Sequence, residues 1–247
     1  MLRNIRPNTT SSIDARELAA LIDISAVQAF HGEQDVRELA EIAIAQGFVA
    51  AHVLPHFVPL LRSLLPREGA TIVGGPVGFP SGGHTTKIKA AEAAGLVAAG
   101  AQELDMMINV GRLKSNDLAY VRADIRAVVE AIAPVPLKVI LELAHLSDDE
   151  IRKGAEIVAD SGAAFVKTGT GWTPNATTTE RLRLIIDTVG GAVGVKASGG
   201  IRSLEAIAEM LRLGVTRFGI NTKVAVDLVR QCTELPGGRF DLAQETA

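Results

Sequence analysis

Two lysines stand where apolar side chains are expected. The stretch Phe165-Val166-Lys167-Thr168-Gly169-Thr170-Gly171-Trp172 and the stretch Val193-Gly194-Val195-Lys196-Ala197-Ser198-Gly199-Gly200 each carry an apolar run into a lysine and then into glycines. Taking an ammonium out of water is costly, so such a lysine either shifts its pKa or needs a partner. A salt bridge at a rim would account for one of them. Two on consecutive parallel strands, about 5 Å apart, predict a closer arrangement in which a like charge lowers the pKa of its neighbour and leaves one amine neutral at pH 7. A neutral lysine amine attacks a carbonyl to give a carbinolamine and then a Schiff base, an electron sink for breaking the adjacent carbon–carbon bond. That is covalent catalysis without a metal or other cofactor. It needs a group to move protons, and Asp105 in Glu103-Leu104-Asp105-Met106-Met107-Ile108, apolar on both sides, is the candidate. An ion pair of Asp105 with Lys138 or another interior lysine is the structural alternative, and a carboxylate relaying protons between two lysines would satisfy both readings. Lys138 and Glu142 fall on one face of their own run by strand alternation and are expected to form a buried pair supporting the site.

The glycines point to a phosphate. Thr170-Gly171, Gly199-Gly200 and Gly219-Ile220-Asn221-Thr222 follow the last three apolar runs. Backbone N–H groups left accessible by glycine would cradle the oxygens, with Thr170, Asn221 and Thr222 side chains adding donors. Arg202 could add charge, although an arginine opening a helix is commonly solvated. His52 and His56 have the spacing of a zinc pair on a helix, but Pro55 between them breaks that helix, so no metal site is expected.

These residues need strands to hold them. From Ile22 onward, short apolar or β-branched runs alternate with alanine-rich stretches of helical period. Eight runs occur near Leu21–Ile24, Val49–Val53, Ala70–Val77, Glu103–Ile108, Lys138–Leu143, Ala163–Lys167, Ala192–Lys196 and Arg217–Ile220. Helices are expected between them near 33–46, 57–65, 84–99, 115–132, 147–161, 177–189, 203–213 and 222–231. Ser147 with Glu150 forms a capping box, and Ser203 precedes another helix. The pattern predicts an α/β fold, a single-domain (β/α)8 TIM barrel over 15–235, with a flexible arm at 1–14 and a mobile tail at 236–247. A doubly wound sheet is the other architecture, but it needs two edge strands and no run is short or charged enough to serve. In the barrel, Lys167 and Lys196 end strands at the face where such folds carry their reacting groups.

The 247 residues carry 25 basic and 28 acidic side chains, which excludes the electrostatic footprint of a nucleic-acid or anionic-membrane binder and leaves a small molecule as the partner. One cysteine, Cys232, cannot form an internal disulfide, and no uninterrupted apolar stretch reaches membrane length. A cytoplasmic, soluble protein is expected.

Several words in order sharpen this. Val77-Gly78-Phe79-Pro80 with Thr85-Thr86-Lys87, Glu103-Leu104-Asp105-Met106-Met107-Ile108-Asn109-Val110-Gly111, Lys138-Val139-Ile140-Leu141-Glu142, Phe165-Val166-Lys167-Thr168 and Val195-Lys196-Ala197-Ser198-Gly199-Gly200-Ile201-Arg202 together resemble the deoxyribose-phosphate aldolase family over about Leu21 to Leu228. The resemblance implies a class I aldolase in which Lys167 forms the Schiff base, Asp105 and Lys196 transfer protons, and loops at Gly171, Gly199-Gly200 and Gly219 hold the phosphate. It implies reversible cleavage of 2-deoxy-D-ribose 5-phosphate to D-glyceraldehyde 3-phosphate and acetaldehyde, and a homodimer or higher homo-oligomer. Departures fall at substrate-facing positions: Gly169 stands where the family commonly has serine, His52 where cysteine is common, and Asn221-Thr222 where serines are usual. A related aldolase acting on a different aldehyde or sugar phosphate, and a non-catalytic sugar-phosphate-binding barrel, are the alternatives.

Overall fold

The computed structural model describes residues 12–173 and 177–242. In chain order the elements are β1 Ser12–Asp14, α1 Ala15–Ala19, β2 Ile22–Ala26, α2 Glu33–Gln46, β3 Ala50–Val53, α3 Val58–Leu64, β4 Ile72–Val77, α4 Thr86–Ala98, β5 Glu103–Met107 and α5 Val110–Lys114. They continue with α6 Leu118–Ile132, β6 Leu137–Ile140, α7 Asp148–Ala159, β7 Phe165–Lys167, α8 Thr179–Val189, β8 Gly194–Ser198, α9 Leu204–Leu213, β9 Arg217–Gly219, α10 Thr222–Glu234 and β10 Arg239–Asp241. Strands β2 to β9 pair in sequence order and close into a barrel, β9 returning to β2 through Ile22 opposite Phe218 and Asp23 opposite Gly219. The expected (β/α)8 architecture is therefore the observed one.

Each barrel strand is packed on both faces, by helices outside and by other strands within, so a strand such as β3 or β5 is buried at every position. Helix ends follow local chemistry. Ser147 and Glu150 exchange side-chain and backbone bonds at the start of α7, and Ser203 Oγ accepts from the Ala206 N–H at the start of α9. Outside the barrel, Lys89 of α4 is fully buried, donating to Asp124 Oδ2 of α6 at 2.7 Å and to the Met107 carbonyl at 3.0 Å, while Thr86 occupies Asp124 Oδ1 at 2.8 Å. The carboxylate is satisfied from two sides, the condition under which a buried ion pair is tolerable.

Two local expectations are corrected. The segments expected to be a loose arm and tail contain a strand pair: Ser12–Asp14 runs antiparallel to Arg239–Asp241, with Ile13 and Phe240 buried between polar neighbours. Arg239 ties it down, reaching Glu17 at 3.0 Å and Asp14 at 3.3 Å. Each strand is three residues long, too short for alternation to be read from composition. Residues 1–11 and 243–247 of those segments lie outside the described residues. The helix expected over 115–132 starts three residues later, at Leu118 with Asp117 as its cap, and an unexpected short helix precedes it: Asn109 caps α5, and Asn116 turns the chain between the two at φ 56°.

Candidate active site

Register places the charged side chains. Lys167 stands opposite Lys196, Asp105 opposite Lys138, and Lys196 opposite Arg217, so residues of one face on four successive strands and on β9 point into a single layer of the barrel. Asp105 Oδ2 accepts from Lys167 Nζ at 2.7 Å and from Lys196 Nζ at 2.9 Å, and its Oδ1 accepts from Lys138 Nζ at 3.2 Å. Asp105 is thus both the ion partner of Lys138 and the link between the two predicted lysines.

The layer extends beyond the residues that sequence singled out. Lys196 Nζ also lies 2.5 Å from Asp23 Oδ2. Arg217 reaches Asp23 Oδ1 at 2.8 Å and Glu103 Oε2 at 3.3 Å, and Lys138 is in close contact with Glu103. Asp23, Glu103 and Arg217 were missed as site residues, although a charged residue inside or opening an apolar run is the signal that selected Asp105.

These contacts decide the protonation states. Burial pushes the Lys167 amine down to about 8, with Lys196 and Lys138 acting in the same direction against the pull of Asp105. Burial also disfavours charge on Lys196, but the Asp105 and Asp23 carboxylates outweigh it and hold that amine above the ordinary lysine value. Burial alone would raise Asp105, yet Lys138, Lys167 and Lys196 hold it well below the carboxylate range. Glu103 is held at about 2: burial works upward and Lys138 leads the groups that overcome it. The expectation that like charge frees an amine therefore needs correcting. The two lysines diverge, desolvation is the leading cause for Lys167, and Lys196 stays cationic because it has two carboxylates where Lys167 has one.

The predicted support pair does not form. Glu142 lies beyond the end of β6 at Ile140, in a left-handed conformation with φ 59°, so strand alternation no longer sets its direction. Its carboxylate turns to the β7–α8 loop and accepts from the Thr170 N–H at 3.2 Å, from the Thr170 hydroxyl in a very short contact, and from Thr173 at 3.2 Å. A Cβ at Gly169 would stand 2.9 Å from Glu142 Oε1, so a side chain there would require the Glu142 carboxylate to shift.

A cleft of about 810 Å³ opens over the C-terminal strand ends, with Asp105, Lys167 and Lys196 on its floor. Gly171, Gly199, Gly200, Gly219, Asn221 and Thr170 line it as expected, and Arg202 and Lys223 add two cations. Gly171, Gly199 and Gly200 have φ of 79°, 96° and 75°, conformations that side-chain-bearing residues rarely adopt. Thr222 is corrected: it is the first residue of α10 and is not part of the lining. Thr170 and Asn221 are present but otherwise engaged, the first with Glu142 and the Trp172 N–H, the second capping α10 by accepting from the Lys223 N–H at 3.1 Å.

The two histidines do not converge. His56 lies beyond β3 with its ring against Phe57, whereas His52 points inward, its Nε2 3.5 Å from Asp23 and 3.7 Å from Glu103. Asp23, His52 and Glu103 are spaced like metal ligands, but both carboxylates already pair with lysines and with Arg217. The His52 ring lies on Gly74, where a Cβ would stand 2.2 Å from it. Gly74→Ala is expected to cost about 1–3 kcal/mol in urea unfolding by pushing the ring into the carboxylates. An unchanged midpoint would show that the ring moves freely.

Comparison with known proteins agrees with this architecture. Residues 12–221 match the family described as DeoC/LacD family aldolase. The chain is 76% identical to a deoxyribose-phosphate aldolase of Sinorhizobium medicae, over 96% of each chain, and 44% identical to one of Klebsiella pneumoniae, over 95% of this chain and 97% of the relative. Among solved structures, an aldolase called QR15 superposes with TM-score 0.83 at 33% identity, over 89% of this chain and 99% of its own. A deoxyribose phosphate aldolase of Aeropyrum pernix, described as tetrameric, superposes with TM-score 0.76 at 27% identity, over 90% and 93% of the two chains. The chain, a closed barrel with two unlike lysines sharing one aspartate, belongs to the DeoC/LacD aldolase family.

Proposed function

We propose that the protein is a class I aldolase that reversibly cleaves 2-deoxy-D-ribose 5-phosphate into D-glyceraldehyde 3-phosphate and acetaldehyde, with Lys167 as the nucleophile. The observation that carries the reading is Asp105 held between a lysine near its neutral form and a lysine held cationic. The names of relatives at 76% and 44% identity support the substrate.

The Lys167 amine adds to C1 of the open sugar, and loss of water gives the protonated Schiff base. Asp105, anionic and bonded to both amines, takes the proton of the C3 hydroxyl while the Lys196 ammonium keeps its hydrogen bond to the same carboxyl. The C2–C3 bonding electrons move toward the Schiff-base nitrogen, glyceraldehyde 3-phosphate leaves, and an enamine remains on Lys167. Lys196, through Asp105, returns a proton to C2, and hydrolysis releases acetaldehyde and the free amine. Backbone N–H groups at Gly171, Gly199 and Gly200, with Arg202 and Lys223, are suited to the phosphate.

Borohydride reduction in the presence of substrate, followed by peptide mass spectrometry, should place the adduct on Lys167; an adduct elsewhere, or none, removes the reading. Turnover of 2-deoxyribose 5-phosphate should greatly exceed that of unphosphorylated 2-deoxyribose, and the reverse order would favour another substrate. Because only the neutral amine adds to the carbonyl, kcat/KM for cleavage should rise about tenfold per pH unit below pH 8 and level above it. A flat profile between pH 6 and 9 would contradict the assigned nucleophile. Self-association and a cytoplasmic location belong to the same reading, the first supported by the tetramer of the Aeropyrum pernix relative and testable by light scattering.

A further inference from the structure

Ser198 ends β8 two residues beyond Lys196, on the same face and therefore one step, about 6.6 Å, nearer the mouth. Its backbone is fixed twice over. The Ser198 N–H donates to Thr168 Oγ1 at 2.8 Å, and its carbonyl accepts from Thr168 Oγ1 at 2.9 Å and from Thr177 Oγ1 at 2.6 Å. Its hydroxyl is treated in the opposite way. Ser198 is 6% exposed and lines the cleft, yet its Oγ has no hydrogen-bond partner among the described residues. The hydroxyl leans over the facing Gly219, in the space a Cβ there would take, 2.3 Å from that oxygen. A buried hydroxyl without a partner is costly, so a fixed and unpaired one in a cleft is a recognition group for a ligand polar atom.

We propose that Ser198 is a specificity-determining residue that hydrogen-bonds the C4 hydroxyl of the sugar phosphate, which is the C2 hydroxyl of the aldehyde acceptor in the reverse direction. The inference rests on the aldolase reading above. Ser198 lies between the lysine layer and the Gly199-Gly200 turn, level with the middle of a substrate whose C1 is on Lys167 and whose phosphate is at the glycines. Of the two hydroxyls there, the one on C3 must give up its proton to Asp105 for the bond to break. The C4 hydroxyl is left for Ser198.

The test measures addition of acetaldehyde to D-lactaldehyde and to propanal, acceptors that differ by this hydroxyl alone, together with D-glyceraldehyde 3-phosphate. In the native enzyme kcat/KM should favour D-lactaldehyde over propanal about tenfold, the worth of one hydrogen bond to an otherwise unpaired buried group. In S198A that ratio should fall to about one, and kcat/KM for glyceraldehyde 3-phosphate should fall about tenfold. Gly219→Ala, which pushes the hydroxyl aside, should lose the same preference and provides the second route if S198A does not fold. A native ratio near one, or a preference retained in either variant, overturns the assignment. Borohydride trapping of acetaldehyde on the native enzyme separates the two questions, since absence of that adduct would mean that the aldolase reading itself had failed.

Discussion

Lys167→Met is expected to reduce carbon–carbon cleavage on the order of 10⁴-fold or more while leaving the folded protein at least as stable as the native one. The loss of rate follows from removing the lysine whose amine burial brings down to about 8. The gain in stability follows from charge. The layer holds four cations, Lys138, Lys167, Lys196 and Arg217, against three carboxylates, Asp23, Glu103 and Asp105. Deprotonating Lys167 brings the layer to three against three, and so does removing it. An amine depressed to about 8 in the fold from about 10.5 unfolded binds its proton more weakly in the native state, which costs roughly 3 kcal/mol below pH 8. The sign is fixed by proton counts: between pH 8 and 10.5 the unfolded chain holds more protons, so this cost fades as pH rises. Urea unfolding at pH 7 should therefore find K167M equal to or more stable than the native protein, with the difference shrinking toward pH 10. A variant that unfolds several kcal/mol more easily, or that retains its rate, would contradict the arrangement.

Lys196→Met should behave differently although it removes the same charge. Asp23 Oδ2 and Asp105 Oδ2 both lean on Lys196, at 2.5 Å and 2.9 Å, so its loss leaves two buried carboxylates short of a partner. A cost of about 3–5 kcal/mol is expected. Balance at three against three now requires Lys167 to keep its proton, and one of the like charges that lowered its pKa is gone. The proposed nucleophile then has a smaller neutral fraction at neutral pH than in the native protein, and its proposed proton partner is missing. The rate should fall about 10²–10⁴-fold, and the acid limb of the pH profile should move above its native position near 8. Trapping with borohydride across pH reports the limb directly, and a limb that stays in place would mean that Lys196 does not set the state of Lys167.

The contrast between these variants marks the boundary of what could be read from residues in a row. Apolar runs and local caps are short-range, so the eight strands, the main helices and the presence of Lys167, Lys196 and Asp105 on strands were legible; Lys167 does end its strand, whereas Lys196, expected at an end, is two residues short of it. The short terminal strands were not, because three residues on each side gain their meaning only by pairing across the whole chain. Glu142 was misassigned for a related reason: alternation was carried past the residue where the strand stops.

By itself, then, the sequence determined that a parallel barrel would form and that two lysines and a carboxylate would stand at one of its ends. Which lysine loses its proton was decided only by tertiary structure. The two differ in the carboxylates that reach them, and Asp23, the second partner of Lys196, is supplied by β2 on the far side of the barrel closure. Arg217 and Asp23, 194 positions apart, are in contact only because β9 pairs with β2. Electrostatic energy depends on distances of a few ångströms in a medium stripped of water, and those distances exist only once the barrel has closed.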